Sequence, residues 1–191
     1  MEKPSWHIYL GEIPHSPEGN FWVSFESDPG LRTNKANIYG RCLPCISHLY
    51  EQLQAGRKEI DLGTAFNCWK IAAAVPGLDE CLALLYEFEK NFPYGHVYGK
   101  FGSGRPGLTT KVVVFHAGTE TERDRLQAAL EQCLPRINVS GPIQISRGCA
   151  VLHHDLFGSW EDWQPVTPIK CEENIENLLN RIKNILYRSA M

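Results

Sequence analysis

The sequence predicts an α+β fold with a βαββαβ antiparallel core between Thr64 and Gly148, and three observations carry that expectation. Strand-forming runs recur at 66–75, 96–101, 111–116 and 142–147. Two segments with one apolar stripe at helical spacing fall between the first and second runs and between the third and fourth. The inner runs are apolar at both alternating sets of positions, as in strands covered on two sides.

The elements follow in chain order. Trp6–Leu10 and Phe21–Phe25 read as a strand pair around a loop marked by Pro14, Pro17 and Gly19. A helix is expected from Leu43 to about Gln54, where Leu43, Ile46, Tyr50 and Leu53 share a face and Gly56 supplies a stop. Phe66–Val75 is the first core strand, turned by Pro76-Gly77. Leu78, Cys81, Leu82, Leu85 and Phe88 then line a helix that Pro93 ends.

His96–Phe101 is the second core strand and Lys111–His116 the third. Thr119 and Glu122 have capping-box spacing and open a helix carrying Leu126, Leu130, Cys133 and Leu134, with Pro135 and Gly141 at its exit. Pro142–Arg147 is the fourth strand. Right-handed crossovers place the four strands in the order fourth, first, third, second, with the second and fourth at the edges and both helices on one face. The N-terminal strands and a C-terminal helix from Glu172 to about Tyr187, striped with Ile175, Leu178, Ile182 and Ile185, are the expected cover for the other face. The arrangement resembles ferredoxin-like domains over less than half of the chain. That fold hosts unrelated functions, so the resemblance implies no activity. The whole is expected to be a single domain, with 1–63 and 149–191 as extensions of the 64–148 core.

The chain has 191 residues, 43% hydrophobic and 21% charged, which suits an ordinary globular core. Its net charge of −3 supplies no basic excess for nucleic acid. The apolar runs are too short to span a bilayer. The N-terminus lacks an apolar signal core, and the seven cysteines form no framework, so a cytoplasmic location with free thiols is expected.

Five features carry candidate chemistry. Cys42 and Cys45 have CxxC spacing and His48 lies three residues on, so the set can offer three ligands to zinc. No fourth ligand follows in the pattern, and free, partly buried thiols are the favoured reading. The loop Gly102–Gly107 is rich in glycine, with Lys100, Arg105 and Lys111 nearby, which suits a phosphate. Leu108-Thr109 stands where a P-loop needs Lys and Ser/Thr, so a flexible hairpin is favoured.

His96, His116 and His153-His154-Asp155 are acid/base or metal candidates, read first as non-catalytic histidines because antiparallel strands send His116 and His153 to opposite ends. Tyr94–Phe101 has the aromatic flavour of an RNA-recognition motif but sits on the wrong strand for it. Leu156–Trp163, with Trp160 and Trp163, is read first as core and otherwise as a lid or partner anchor.

The leading expectation is a binding or adaptor protein that recognises a small, possibly phosphorylated, ligand or a protein partner at a sheet edge through His96, Tyr98, Lys100, Arg105 and Trp160. The rival is an enzyme acting on a nucleotide or phosphorylated substrate, with His96 and His116 as acid/base groups and Lys100 and Arg105 as charge stabilisers. A third reading is a structural subunit docking through the C-terminal helix, and a homo-oligomer is compatible with any of the three.

Overall fold

The structure, a computed structural model, describes residues 7–12, 22–92, 96–103 and 109–189. Pro14, Pro17, Gly19, Pro93, Tyr94 and Arg105 lie outside the described residues, as does most of the Gly102–Gly107 loop. The fold is mixed α+β and the contacts group the chain into two compact units.

The first unit holds an antiparallel sheet. Its strands are β1 (Tyr9–Glu12), β2 (Trp22–Glu26), β4 (Trp69–Val75), β5 (Tyr98–Gly102), β6 (Lys111–Ala117) and β7 (Ile143–Arg147), counted with a short β3 (Glu59–Asp61) that lies elsewhere. They stand in the order β1-β2-β5-β6-β4-β7. Six strands in this order differ from the four expected. β2 pairs antiparallel with β5, Glu26 opposite Tyr98 and Ser24 opposite Lys100. The second core strand is therefore internal, and the N-terminal strands extend the sheet sideways instead of covering it. The alternating pattern of Trp22–Glu26 is equally compatible with both roles; only pairing decides between them.

Two helices pack on one another and on β6: α2 (Leu78–Asn91) and α3 (Glu120–Arg136), numbered after α1 (Leu31–Gln54). α2 buries Cys81, Leu84, Leu85 and Phe88. Leu78 and Leu82, expected on that face, are 42% and 40% exposed. The buried arc is centred nearer Leu84 and Phe88, and the stripe read from the sequence runs off its edge. Phe88 meets Phe115 at 4.6 Å, and Phe115 meets Phe25 at 4.9 Å. Each such ring contributes about 1.5–3 kcal/mol of burial. Thr119 caps α3 by accepting from the Glu122 amide at 3.1 Å, as its spacing predicts. The Glu122 carboxylate takes the Gly118 amide at 2.8 Å, one residue earlier than a standard capping box.

The opposite face of the sheet is also covered. Ser24, Glu26, Tyr98, Val114 and His116 are buried on β2, β5 and β6. At its β1 end, Leu31, the first residue of α1, lies within 3.2 Å of where a side chain on Gly11 would stand.

The second unit is built from the later part of α1, β3, Trp69 at the start of β4, Ser146 and Arg147 at the end of β7, α4 (Ala150–Phe157), β8 (Val166–Pro168) and α5 (Ile175–Ser189). β3 and β8 form a two-stranded antiparallel pair with Ile60 opposite Thr167. Its core includes Leu49, Leu53, Ile60, Phe157, Trp163, Leu178 and Ile182. α5 thus finds cover in this unit for the stripe that the sequence assigned to the sheet. Gln52 holds β3 to α1 by exchanging two hydrogen bonds with the Asp61 backbone, at 2.8 and 2.9 Å.

α1 begins twelve residues before the expected start at Leu43 and carries Pro44 inside it. Proline fits best in a first turn, so the sequence favours a start beside Pro44. None of the described helices is long and apolar enough to cross a membrane.

Candidate functional site

β2 ends where β5 begins, and that junction is tied by backbone. Ser27 donates to the Val97 carbonyl at 2.8 Å, and the Val97 amide donates to Ser27 Oγ at 2.9 Å. The pairing fixes His96 beside Glu26. His96 Nε2 and Glu26 Oε1 form a close ion pair. Oε1 also accepts the Asp28 amide at 3.0 Å. The Glu26 side chain is fully buried, while that of His96 is 44% exposed. Glu26 Oε2 is buried with no hydrogen-bond partner among the described residues.

The imidazole stacks on Tyr98, ring centroids 5.0 Å apart and planes at 29°. Tyr98 lies 5.7 Å from the ring of His116 on β6. The sequence grouped His96 with Tyr98 as ligand-binding residues and with His116 as acid/base candidates, and the sheet sets all three in one cluster. Lys100, two residues beyond Tyr98 and on the same side of β5, sits over the Trp22 ring with its Nζ 4.3 Å from the centroid.

The site's electrostatics follow from the buried carboxylate. The hydrogen bond to Glu26 raises the His96 pKa above its usual 6.5. Burial opposes that shift, and the charges of Glu26, Asp28 and Glu122 reinforce it. His96 therefore keeps its proton to higher pH than an ordinary histidine does. The Glu26–His96 pair is neutral as a whole, but its imidazolium still offers an N–H on the side away from the carboxylate.

Gly99 makes this geometry possible. A Cβ there would stand 2.0 Å from the Val114 carbonyl oxygen and 2.5 Å from Phe25. Only glycine lets β5 approach closely enough to align Tyr98 with Glu26 and His116.

Trp160, expected to converge with these residues, belongs to the second unit. There it meets Trp69 edge-on at 5.4 Å. Arg147 lies against Trp69 at 4.0 Å, Phe66 at 4.1 Å and Trp160 at 5.9 Å. His153-His154-Asp155, which follow the fourth strand in sequence, lie on α4. The His153 ring is buried, 5.6 Å from Trp163. Asp155 binds Arg181 at 2.6 Å.

Cys45 Sγ contacts Thr64 Oγ1 at 3.1 Å, and His48 Nε2 is 3.8 Å from Asp61 Oδ2. Among the described residues, no group of three or more His, Cys, Asp or Glu is placed to hold a metal ion. An open groove of about 730 Å³ beside the end of α3, lined by Gln127, Glu131, Leu134 and Val139, contains none of the candidate binding, catalytic or metal residues.

Glu26 and Trp22 are the members that the sequence reading missed. The one available signal was a carboxylate at the end of a largely apolar strand, Trp22–Glu26. Comparison with known proteins adds no relative: no family model, curated protein or solved structure matches the chain.

Proposed function

We propose that the protein binds a small anionic ligand, a phosphorylated metabolite or nucleotide, on the face of β5. The observation that supports this reading most is the single row formed by His96, Tyr98 and Lys100. It alternates a raised-pKa imidazole, an aromatic ring and an ammonium group. Charge-assisted hydrogen bonds from the two ends suit phosphoryl oxygens, and the buried Tyr98 ring between them backs the imidazole. Arg105, five residues along the sequence from Lys100, is the further cation of this reading.

The reading also keeps β4 to β7 with α2 and α3 as a ferredoxin-like unit, supported by β4 lying between β6 and β7. On that view β1 and β2 are additions that convert an edge into a site.

Titration of labelled protein with inorganic phosphate, pyrophosphate and ATP, followed by NMR, tests the proposal. At least one probe should shift the His96 and Lys100 signals. The Lys100→Ala/Arg105→Ala variant should weaken binding about tenfold or more, the scale of one charge-assisted contact. Unchanged affinity in that variant overturns the proposal.

One observation favours a second reading, an enzyme. A buried carboxylate holding one edge of a half-exposed imidazole is the arrangement that orients a histidine for general acid/base work. Turnover of a phosphorylated substrate that disappears in His96→Gln, with binding retained, would select it. Docking through α5 has the least support, because Leu178 and Ile182 are already buried in the second unit.

A further inference from the structure

Behind the row on β5 lies an inner layer, and its two carboxylate oxygens differ. Glu26 Oε1 is held by the Asp28 amide and by His96 Nε2, while Oε2 is buried with no hydrogen-bond partner among the described residues. The backbone on either side is immobilised by the reciprocal Ser27–Val97 bonds. A carboxylate anchored in this way addresses one edge of the imidazole. Nε2 is turned toward the interior, and Nδ1 is the nitrogen left for a ligand.

We propose that Glu26 is the positioning residue of the anion site: it fixes His96 with Nε2 inward, presents the Nδ1–H outward, and ties capture of a phosphate group to the protonation of this one pair. The inference deepens the binding function proposed above and rests on it.

The chemistry follows from the tautomer. When His96 is charged, both ring nitrogens carry a proton, and Nδ1 donates to an anion. When His96 is neutral, the proton remains on Nε2, where the carboxylate accepts it. Nδ1 is then a lone pair facing the ligand, and a donor has become a repelling acceptor. Capture therefore ends over the pH range in which His96 titrates.

The groups around the ring set that range. Glu26 on β2, Asp28 after it and Glu122 on α3 all favour the charged form. Tyr98 stacks on the ring, His116 lies beyond Tyr98, and Lys100 stands two residues along β5.

The test uses the whole chain labelled with ¹⁵N at histidine. Long-range proton–nitrogen spectra across pH report both the tautomer and the titration midpoint of His96, with and without pyrophosphate. In the wild type the neutral form should be the Nε2–H tautomer, the midpoint should lie above 6.5, and pyrophosphate binding should fade at that same midpoint. Glu26→Gln should lower the midpoint and carry the binding profile down with it.

An Nδ1–H tautomer in the wild type overturns the proposal. So does a Glu26→Gln variant with an unshifted midpoint. If that variant does not fold, the wild-type tautomer alone decides. Failure of phosphate, pyrophosphate and ATP to bind the wild type overturns the anion reading only, because the tautomer still reports whether Glu26 positions His96.

Discussion

Glu26 and His96 join the end of β2 to the approach of β5 through a carboxylate that is fully buried and an imidazole that is half-exposed. Burying a charge is costly unless it is paired, so the stability of this junction depends on the proton that His96 carries. His96 has its folded pKa raised above 6.5, chiefly by the hydrogen bond to Glu26. A group shifted upward stabilises the fold fully below its unfolded value and loses that contribution as pH rises through its folded value. The wild type should therefore exceed His96→Gln in stability most below about pH 6, by about 1 kcal/mol after allowance for solvent at the exposed ring. The gap should close as pH rises through the raised folded value of His96. Urea unfolding at a series of pH values measures it, and a gap that widens with pH contradicts the pairing.

Gly99 is the second point of control. A methyl group there meets the Val114 carbonyl at 2.0 Å and Phe25 at 2.5 Å; the first is backbone and the second a fully buried ring. Gly99→Ala should cost about 3 kcal/mol or more, above the usual range for overpacking because backbone must move. Thermal unfolding reads the loss. A change below about 1 kcal/mol would show that β5 does not approach β6 as closely as described.

The contrast between what was legible in the sequence and what was not has a physical basis. β4, β6, α2 and α3 stood out because their patterns are local: a continuous apolar run in Lys111–Ala117, and Leu126, Leu130 and Cys133 along α3. β3 and β8 have three residues each and are paired across about a hundred residues of chain, so no local window contains their signal. The early start of α1 was hidden by Pro44, which reads as a boundary. Half of the site was legible for the same reason. His96, Tyr98 and Lys100 are alternate residues of one strand, whereas Glu26 and Trp22 reach them only through the β2–β5 pairing. Trp160 was grouped with them by its aromatic character, which carries no information about which unit it joins.

The cysteines give a chemical test of the two helices in the first unit. Burial pushes the Cys81 thiol up to about 12 and the Cys133 thiol up to about 11, from 9.0. Only the thiolate reacts, so both should resist iodoacetamide in the native protein at about pH 8. Cys42, Cys45, Cys149 and Cys171 are only partly buried and should be modified first. Peptide mass spectrometry before and after denaturation measures this order. Rapid native labelling of Cys81 would mean that α2 does not lie on the sheet as described.

Arg147 provides the corresponding test of the second unit. Its guanidinium lies 4.0 Å from the Trp69 ring and 4.1 Å from the Phe66 ring, with Trp160 at 5.9 Å. A planar, weakly hydrated cation gains from stacking against rings, while an ammonium group on a thinner stem fills the same space poorly. Arg147→Lys should therefore destabilise the protein by about 1 kcal/mol although it preserves charge. Arg147→Ala should cost more, because the arginine stem also packs between the rings. Both variants should alter tryptophan emission at low denaturant, since Trp69 and Trp160 share the cation. If Arg147→Lys matches the wild type in stability and emission, the interaction is simple charge placement, and the rings do not select for a guanidinium.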